Sequence, residues 1–288
     1  MNVNKIKFIF ISALIFFVGL LIFIKSYSAS RFNIVSIESF KEVQKALNSA
    51  DEGTLVLFDI DDTLIVSPSK NFWKSNFLAH KKEIEKIADT AFKRTDKNKK
   101  YLLSKRLAKE VPLIIEAIVP EMIKTLQERK VEVLALSRFS TGTMGVIRDF
   151  PKWRYDKLKE VGINFSVTKF PDIILKTLYH DDKGFYPVFY KGILLTNRST
   201  KGAVLGAFLD YMHYKPKRII FFDDDREQVK LVASEIYKRK ILFEGYVYNG
   251  SMHMASHFDA NIISIQYNHL VDHEEWLTDE EAKALLER

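Results

Sequence analysis

An α/β fold is expected, built as a Rossmann-like doubly wound parallel sheet with a mainly helical insertion after its first acidic strand, and three observations predict it. Residues 54–58, 131–137 and 217–222 are short runs of apolar, β-branched and aromatic residues, and each ends in polar groups. Stretches with apolar residues at helical spacing lie between them. The chain has 288 residues and 47% hydrophobic content, enough to bury one full core. Uninterrupted apolar runs of this length read as strands buried on both faces, and strands alternating with helices build parallel sheets.

At the N-terminus, Lys5 and Lys7 precede seventeen uncharged residues, 8–24, followed by Lys25 and the small residues Ser26, Ser28, Ala29 and Ser30. This is the layout of a secretory signal peptide, with cleavage after Ser28 or Ser30. Seventeen residues is also the shortest apolar span that crosses a bilayer, so a membrane anchor is the second reading of residues 1–30. Either way residues 31–288 lie outside the cytoplasm, periplasmic or secreted. Residues 33–50 read as a helical lead-in, with Ile34, Ile37, Phe40, Val43 and Leu47 at helical spacing.

The run 54–58 ends in Asp59, Asp61 and Asp62. Carboxylates this close repel one another and retain protons unless something positive sits among them, and a hard cation with oxygen ligands suits the place. In open α/β sheets, ligands bind outside the carboxyl ends of the strands. The segment between this motif and the next strand is too long for a simple crossover and reads as helices, with the insertion at about 65–119. The run 131–137 ends in Ser137. Residues 162–166 read as a further strand, and the aromatic-rich 165–195, with the turn signal Asp181-Asp182-Lys183-Gly184, as a hairpin flap. Thr196 also follows an apolar run and competes with Ser137. Ser137 is preferred because a helix-like stretch precedes its strand, as a crossover requires, whereas Thr196 stands too close to Lys201. Lys201-Gly202 opens an amphipathic stretch, 203–212, and the run 217–222 leads into Asp223, Asp224 and Asp225. Asp223 sits at the strand end, and Asp225 is expected to face solvent.

Two acidic strand ends, a hydroxyl strand end and a lysine at a helix start, in this order, resemble the haloacid dehalogenase-like (HAD) phosphohydrolase superfamily. The resemblance covers about residues 54–232, and its first motif stands here as Asp59-Ile60-Asp61-Asp62-Thr63-Leu64. The string 58–63, with Ser67-Pro68 and Phe72-Trp73, is similar to secreted bacterial acid phosphatases of class B, whereas Phe222-Asp223-Asp224-Asp225 departs from them. The fuller order, with Tyr190-Lys191-Gly192-Ile193-Leu194 and a long C-terminal tail, is more similar to a poorly characterised family of secreted HAD-like bacterial proteins.

The resemblance implies that Asp59 is a nucleophile forming an aspartyl-phosphate, with Asp61 as general acid and then general base. It implies Mg²⁺ as cofactor, held by Asp59, Asp61 (through its carbonyl) and Asp223, with Asp224 acting directly or at one remove. Ser137 and Lys201 then bind the transferring oxygens, and the insertion is a cap that selects a phosphorylated small-molecule substrate. The expected function is an extracytoplasmic Mg²⁺-dependent phosphatase of phosphate monoesters. The alternatives are a phosphotransferase, or a secreted binding or effector protein on the same fold with vestigial activity.

Composition adds limits. The absence of cysteine excludes disulfides, thiolate metal sites and a cysteine nucleophile. The net charge of +7 resides in residues 70–109, where 13 Lys or Arg face four acids. Such a segment steers anionic substrate, lies against an anionic membrane surface, or is simply a solvated face. No nucleic-acid motif accompanies it. His253 and His257 stand four apart, a zinc-like spacing, but no third ligand is evident. Thr278 and Glu281 occupy capping-box positions of a terminal surface helix.

Overall fold

The computed structural model describes residues 32–254 and 257–287, so the expected signal or anchor at 1–30 lies outside the described residues. In chain order the strands are β1 (Phe32–Ile37), β2 (Thr54–Phe58), β3 (Ile65–Val66), β4 (Leu113–Ile114), β5 (Glu132–Ser137), β6 (Ile173–Ile174), β7 (Val188–Tyr190), β8 (Ile193–Leu195), β9 (Arg218–Asp223) and β10 (Leu242–Tyr248). The α-helices are α1 (Gln44–Asn48), α2 (Lys74–Phe92), α3 (Lys99–Lys109), α4 (Val119–Glu128), α5 (Phe150–Glu160), α6 (Lys201–Tyr211), α7 (Arg226–Lys238), α8 (Ala260–His273) and α9 (Asp279–Leu286).

The main sheet has eight strands in the order β1-β10-β9-β2-β5-β8-β7-β6, parallel from β1 through β8, with β7 and β6 added antiparallel. Alternation along β2 sends Val56 and Phe58 to one face and Leu55 and Leu57 to the other. The first face is covered by Phe40, Val43 and Leu47, by Ile123 and Leu126 of α4, and by Leu158 of α5. The second is covered by Val204, Leu205 and Phe208 of α6 and by Val229, Val232 and Ile236 of α7. This is a doubly wound α/β sheet. After β8 the chain returns to the other side of β2 to form β9, so the strand order reverses at β2. The C-terminal ends of β2 and β9 therefore open on the crevice where α/β folds take ligands.

Three parts of the sequence expectation need correction. The lead-in is a strand, β1, followed by a 3-10 turn (Phe40–Val43) and α1, because pairing with the edge of β10 outweighs the helical spacing. Residues 163–166 form no strand: β8 pairs directly with β5, while Ile163 and Phe165 still fill the core from a loop. The flap is built into the sheet as two hairpins, first β6–β7, whose connection carries the expected turn at Asp181-Asp182-Lys183-Gly184, and then the tight hairpin β7–β8. Its turn is Lys191-Gly192, both with positive φ, and a Cβ on Gly192 would lie 1.9 Å from the Phe165 carbonyl oxygen. Only glycine fits there.

The segment behind β2 is mainly helical, as expected, but it does not stand alone. Ile84, Ala88 and Ala91 of α2 and Leu102 of α3 share a separate core with Ile263, Tyr267, Leu270 and Val271 of α8 and with Trp276. The C-terminal tail thus completes the insertion. It also meets part of its charge. Residues 272–287 hold seven acids against one lysine. Arg94 pairs with Asp272, Lys97 and Lys105 with Glu274, and Lys109 with Glu275 and Glu281. Four of the 13 basic residues of 70–109 are therefore engaged by this acidic tail. The terminal helix carries the expected capping box of Thr278 and Glu281.

Candidate active site

β2 and β9 run side by side, with Phe58 beside Phe222 and the Asp59 N–H donating to the Phe222 carbonyl at 2.8 Å. That pairing brings the first residues beyond the apolar runs, Asp59 and Asp223, to one level of the sheet edge. Facing them is the first turn of α6. Thr200 caps this helix by accepting from Ala203 N–H, which sets Lys201 at its start. The helix also packs close against α7, since a Cβ on Gly202 would come within 2.6 Å of the Leu231 carbonyl oxygen. The Lys201 side chain, 2% exposed, then reaches inward, touching Asp59 Oδ1 and standing 2.6 Å from Asp223 Oδ2.

The cluster is tied together further. Thr63 Oγ1 donates to Asp59 Oδ2 (3.2 Å) and accepts from the Asp224 N–H (3.1 Å). Lys74, at the start of α2, donates to the Asp224 carboxylate and, at 2.9 Å, to its carbonyl. Asp225 stays outside the cluster and accepts from Glu227 N–H as the N-cap of α7. Asp59, Asp223 and Asp224 offer carboxylate oxygens that all lie within 4.8 Å of one another.

Burial and crowding set the charges. Burial pushes Asp59 up to about 6, although Lys201 pulls it down. Burial and then Asp59 raise Asp223 well above the ordinary 3.8. Burial works to lower the Lys201 ammonium, but Asp59 and Asp223 outweigh it and raise it. These directions agree physically: one buried ammonium faces two buried carboxylates, so each wants more positive charge than the protein provides. Asp62, held at φ 60 in the turn, is pushed up to about 7 by burial and by Asp224 and Asp61.

Of the residues expected from sequence, the structure brings Asp59, Lys201, Asp223 and Asp224 together. Ser137 ends β5, the strand hydrogen-bonded to β2, and is 1% exposed. Its competitor Thr196 follows β8, one strand further out. Asp61 is different. Its carboxylate is half-exposed and accepts from both terminal nitrogens of Arg154, each at 2.9 Å, instead of joining the Asp59 cluster. Arg154, Lys74 and Thr63 are partners for which the sequence reading had no role. Arg154 lies 93 residues from Asp61 and Lys74 lies 150 from Asp224, and only the aromatic neighbours Trp153 and Tyr155 mark Arg154 locally. His253, of the zinc-like histidine spacing, lies in a 3-10 turn over residues 250–253 and pairs with Glu38 at 2.7 Å.

The chain belongs to a family described as "Protein of unknown function (DUF2608)", whose sequence model matches residues 36–283. It is 24% identical over 288 residues to an uncharacterized protein of Rickettsia prowazekii (strain Madrid E), covering 100% of this chain and 99% of that one. It is 22% identical over 259 residues to a protein of Chlamydia trachomatis named "Putative outer membrane protein", covering 89% and 90% of the two chains. A solved HAD family hydrolase from Salmonella enterica is similar at a TM-score of 0.31 and 10% identity, over 73% of this chain and 74% of that one. No helix among the described residues is long and apolar enough to cross a membrane.

Proposed function

We propose that this member of the family is a Mg²⁺-dependent phosphomonoesterase of HAD type that works outside the cytoplasm. The observation that carries the reading is the cluster of Asp59, Asp223 and Asp224 around Lys201, set at the C-terminal edge of a parallel sheet where its strand order reverses. The raised Asp59 and Asp223 carboxylates fit a divalent cation, because they are short of positive charge and all three offer oxygens. Asp59, Asp223 and Asp224 would hold Mg²⁺, with the Asp61 carbonyl as a further ligand implied by the HAD resemblance. Bound there, it would neutralise charge on the phosphoryl oxygens.

The protein's own groups do the rest. A carboxylate oxygen of Asp59 attacks phosphorus, and the bond from phosphorus to the leaving oxygen breaks. Asp61 gives that oxygen a proton. A water then attacks the aspartyl-phosphate, Asp61 takes its proton, and inorganic phosphate leaves. Lys201, fixed by its two carboxylates, and Ser137, on the neighbouring strand, bind the phosphoryl oxygens as charge spreads over them. Thr63 holds the second oxygen of Asp59 and, with Lys201 on the first, fixes the orientation of the carboxylate.

The bidentate pairing of Asp61 with Arg154 favours one other reading, a HAD-fold binding protein whose chemistry is vestigial, since an acid locked in that pair serves no leaving group. A panel of phosphate monoesters incubated with the purified protein, with and without Mg²⁺, separates the two. Release of phosphate that needs Mg²⁺ is expected. No release from any ester would leave the binding reading. The location outside the cytoplasm is supported by the signal-like residues 1–30 and by the name given to the Chlamydia relative.

A further inference from the structure

Beside Asp61, between the insertion and the sheet domain, lies a cavity of about 190 Å³. From the insertion side it is lined by Val66, Leu107 and Pro112, and from the other by Phe139, Trp153 and Arg154. Arg154 projects from α5 and is 3% exposed, yet its ionic partner among the described residues is Asp61, whose side chain is 53% exposed. The guanidinium lies over the Phe139 ring at 4.1 Å and the Trp153 ring at 5.1 Å, and those two rings stack on each other at 5.5 Å. Its Nε is buried with no hydrogen-bond acceptor. Lys157, three residues further along α5, lines the same cavity.

This arrangement is poorly explained by stability. An ion pair with one partner half in water contributes little, whereas holding a guanidinium in an aromatic stack keeps a planar, five-donor fork ready for an oxyanion. A buried guanidinium prepared in this way, lining a cavity beside Asp61, is suited to receive an oxyanion. Its present occupant, the Asp61 carboxylate, is the easily displaced one.

We infer that Arg154 is a specificity-determining residue that binds an anionic substituent on the leaving group, exchanging the Asp61 carboxylate for it. The inference rests on the phosphatase reading and names its substrate class: phosphate monoesters of small alcohols that carry a carboxylate or a second phosphate. The exchange also gives the Asp61–Arg154 pair a purpose. Until an anion arrives, Asp61 is tied down; when one does, Asp61 is released towards the leaving oxygen, and esters without the anion leave it tied.

The test compares phenyl phosphate with 4-carboxyphenyl phosphate in the wild type, Arg154→Lys and Lys157→Met. The wild type is expected to favour the carboxylated ester by about tenfold or more in kcat/KM, the value of one charge-assisted bidentate contact. Arg154→Lys keeps the charge and loses the fork, so the preference should collapse towards one, through KM for the lost contact and through kcat for the release of Asp61, while Lys157→Met keeps most of it. Circular dichroism establishes that the variants fold. A wild-type ratio near one overturns the inference, as does a preference that survives Arg154→Lys or one that vanishes only with Lys157→Met. If neither ester is hydrolysed, the phosphatase reading fails separately. Binding then decides, by Trp fluorescence titration of both esters into the Asp59→Asn protein with and without Arg154→Lys. Tighter binding of the carboxylated ester that needs Arg154 sustains the site, and equal binding overturns it.

Discussion

At the sheet edge one ammonium, Lys201, sits 2% exposed between Asp59 and Asp223. Across the contact between the insertion and the tail, Arg94, Lys97 and Lys109 meet Asp272, Glu274 and Glu275 with 33–57% of each side chain in water. Both are rows of ion pairs, and burial makes them different objects. In water each pair is screened and gains little over its hydrated partners. In the sheet edge the charges have lost their water, so every change of partner or proton count is felt in full. One region is therefore reactive and the other adhesive. The adhesive region still has a consequence, for it fastens the acidic tail over the basic insertion.

The comparison is broken most directly at Asp59. Asp59→Asn keeps the shape, removes the nucleophile and relieves a crowded carboxylate cluster. Phosphate release should fall by about three orders of magnitude or more, with the melting temperature unchanged or raised. Residual turnover above a tenth of wild type would mean that no covalent Asp59 step exists.

Lys201→Met is the matching test of burial. It leaves Asp59 and Asp223 facing each other without a counter-charge, and removing one partner of a buried pair costs about 3–5 kcal/mol. Urea unfolding at neutral pH should show a loss of that order. The loss should shrink near pH 5, where the raised carboxylates take up protons. A loss equal to that of a surface lysine would show that the cluster is hydrated.

pH sharpens the same point without mutation. Asp62 is raised from 3.8 to about 7 and Asp59 from 3.8 to about 6, so the folded state holds protons that the unfolded state gives up. Their contribution to stability is fully present below about pH 4 and is lost as pH rises through 6 to 7. In a metal-chelating buffer, thermal stability should decline across that window. Millimolar Mg²⁺ should remove much of the decline at pH 7, where it can meet the ionised carboxylates. A stability profile that is flat between pH 4 and 7, or that rises, would contradict the buried cluster.

The smallest effects belong to the adhesive region. Arg94→Ala or Lys109→Ala should each cost about 0–1 kcal/mol and lose even that at high salt. A larger cost that persists in 1 M salt would mean that the contact depends on packing around Trp276 more than on charge.

The sequence by itself determined the parallel core and most of the candidate site. Residues 54–58, 131–137 and 219–222 are buried on both faces, so their hydrophobic pattern has no competing explanation, and the strands β2, β5 and β9 fall within a residue of the expected runs. Asp59, Asp223 and Lys201 were legible because each is fixed by local structure, the first residue past an apolar run or the first of a helix. Where local preference was weak, tertiary contacts decided. Residues 32–37 became an edge strand because β10 offered a free edge, and 163–166 stayed a loop because β8 already occupied the place beside β5. Long-range pairs were invisible for the same reason. Nothing near Asp61 in the sequence announces Arg154, and nothing in the basic segment 70–109 announces that its charge is met by residues 272–281. Local sequence encodes which way a backbone runs and where its carboxylates end. Which charge meets which is settled only when the chain closes, because only then does burial decide the strength of each charge.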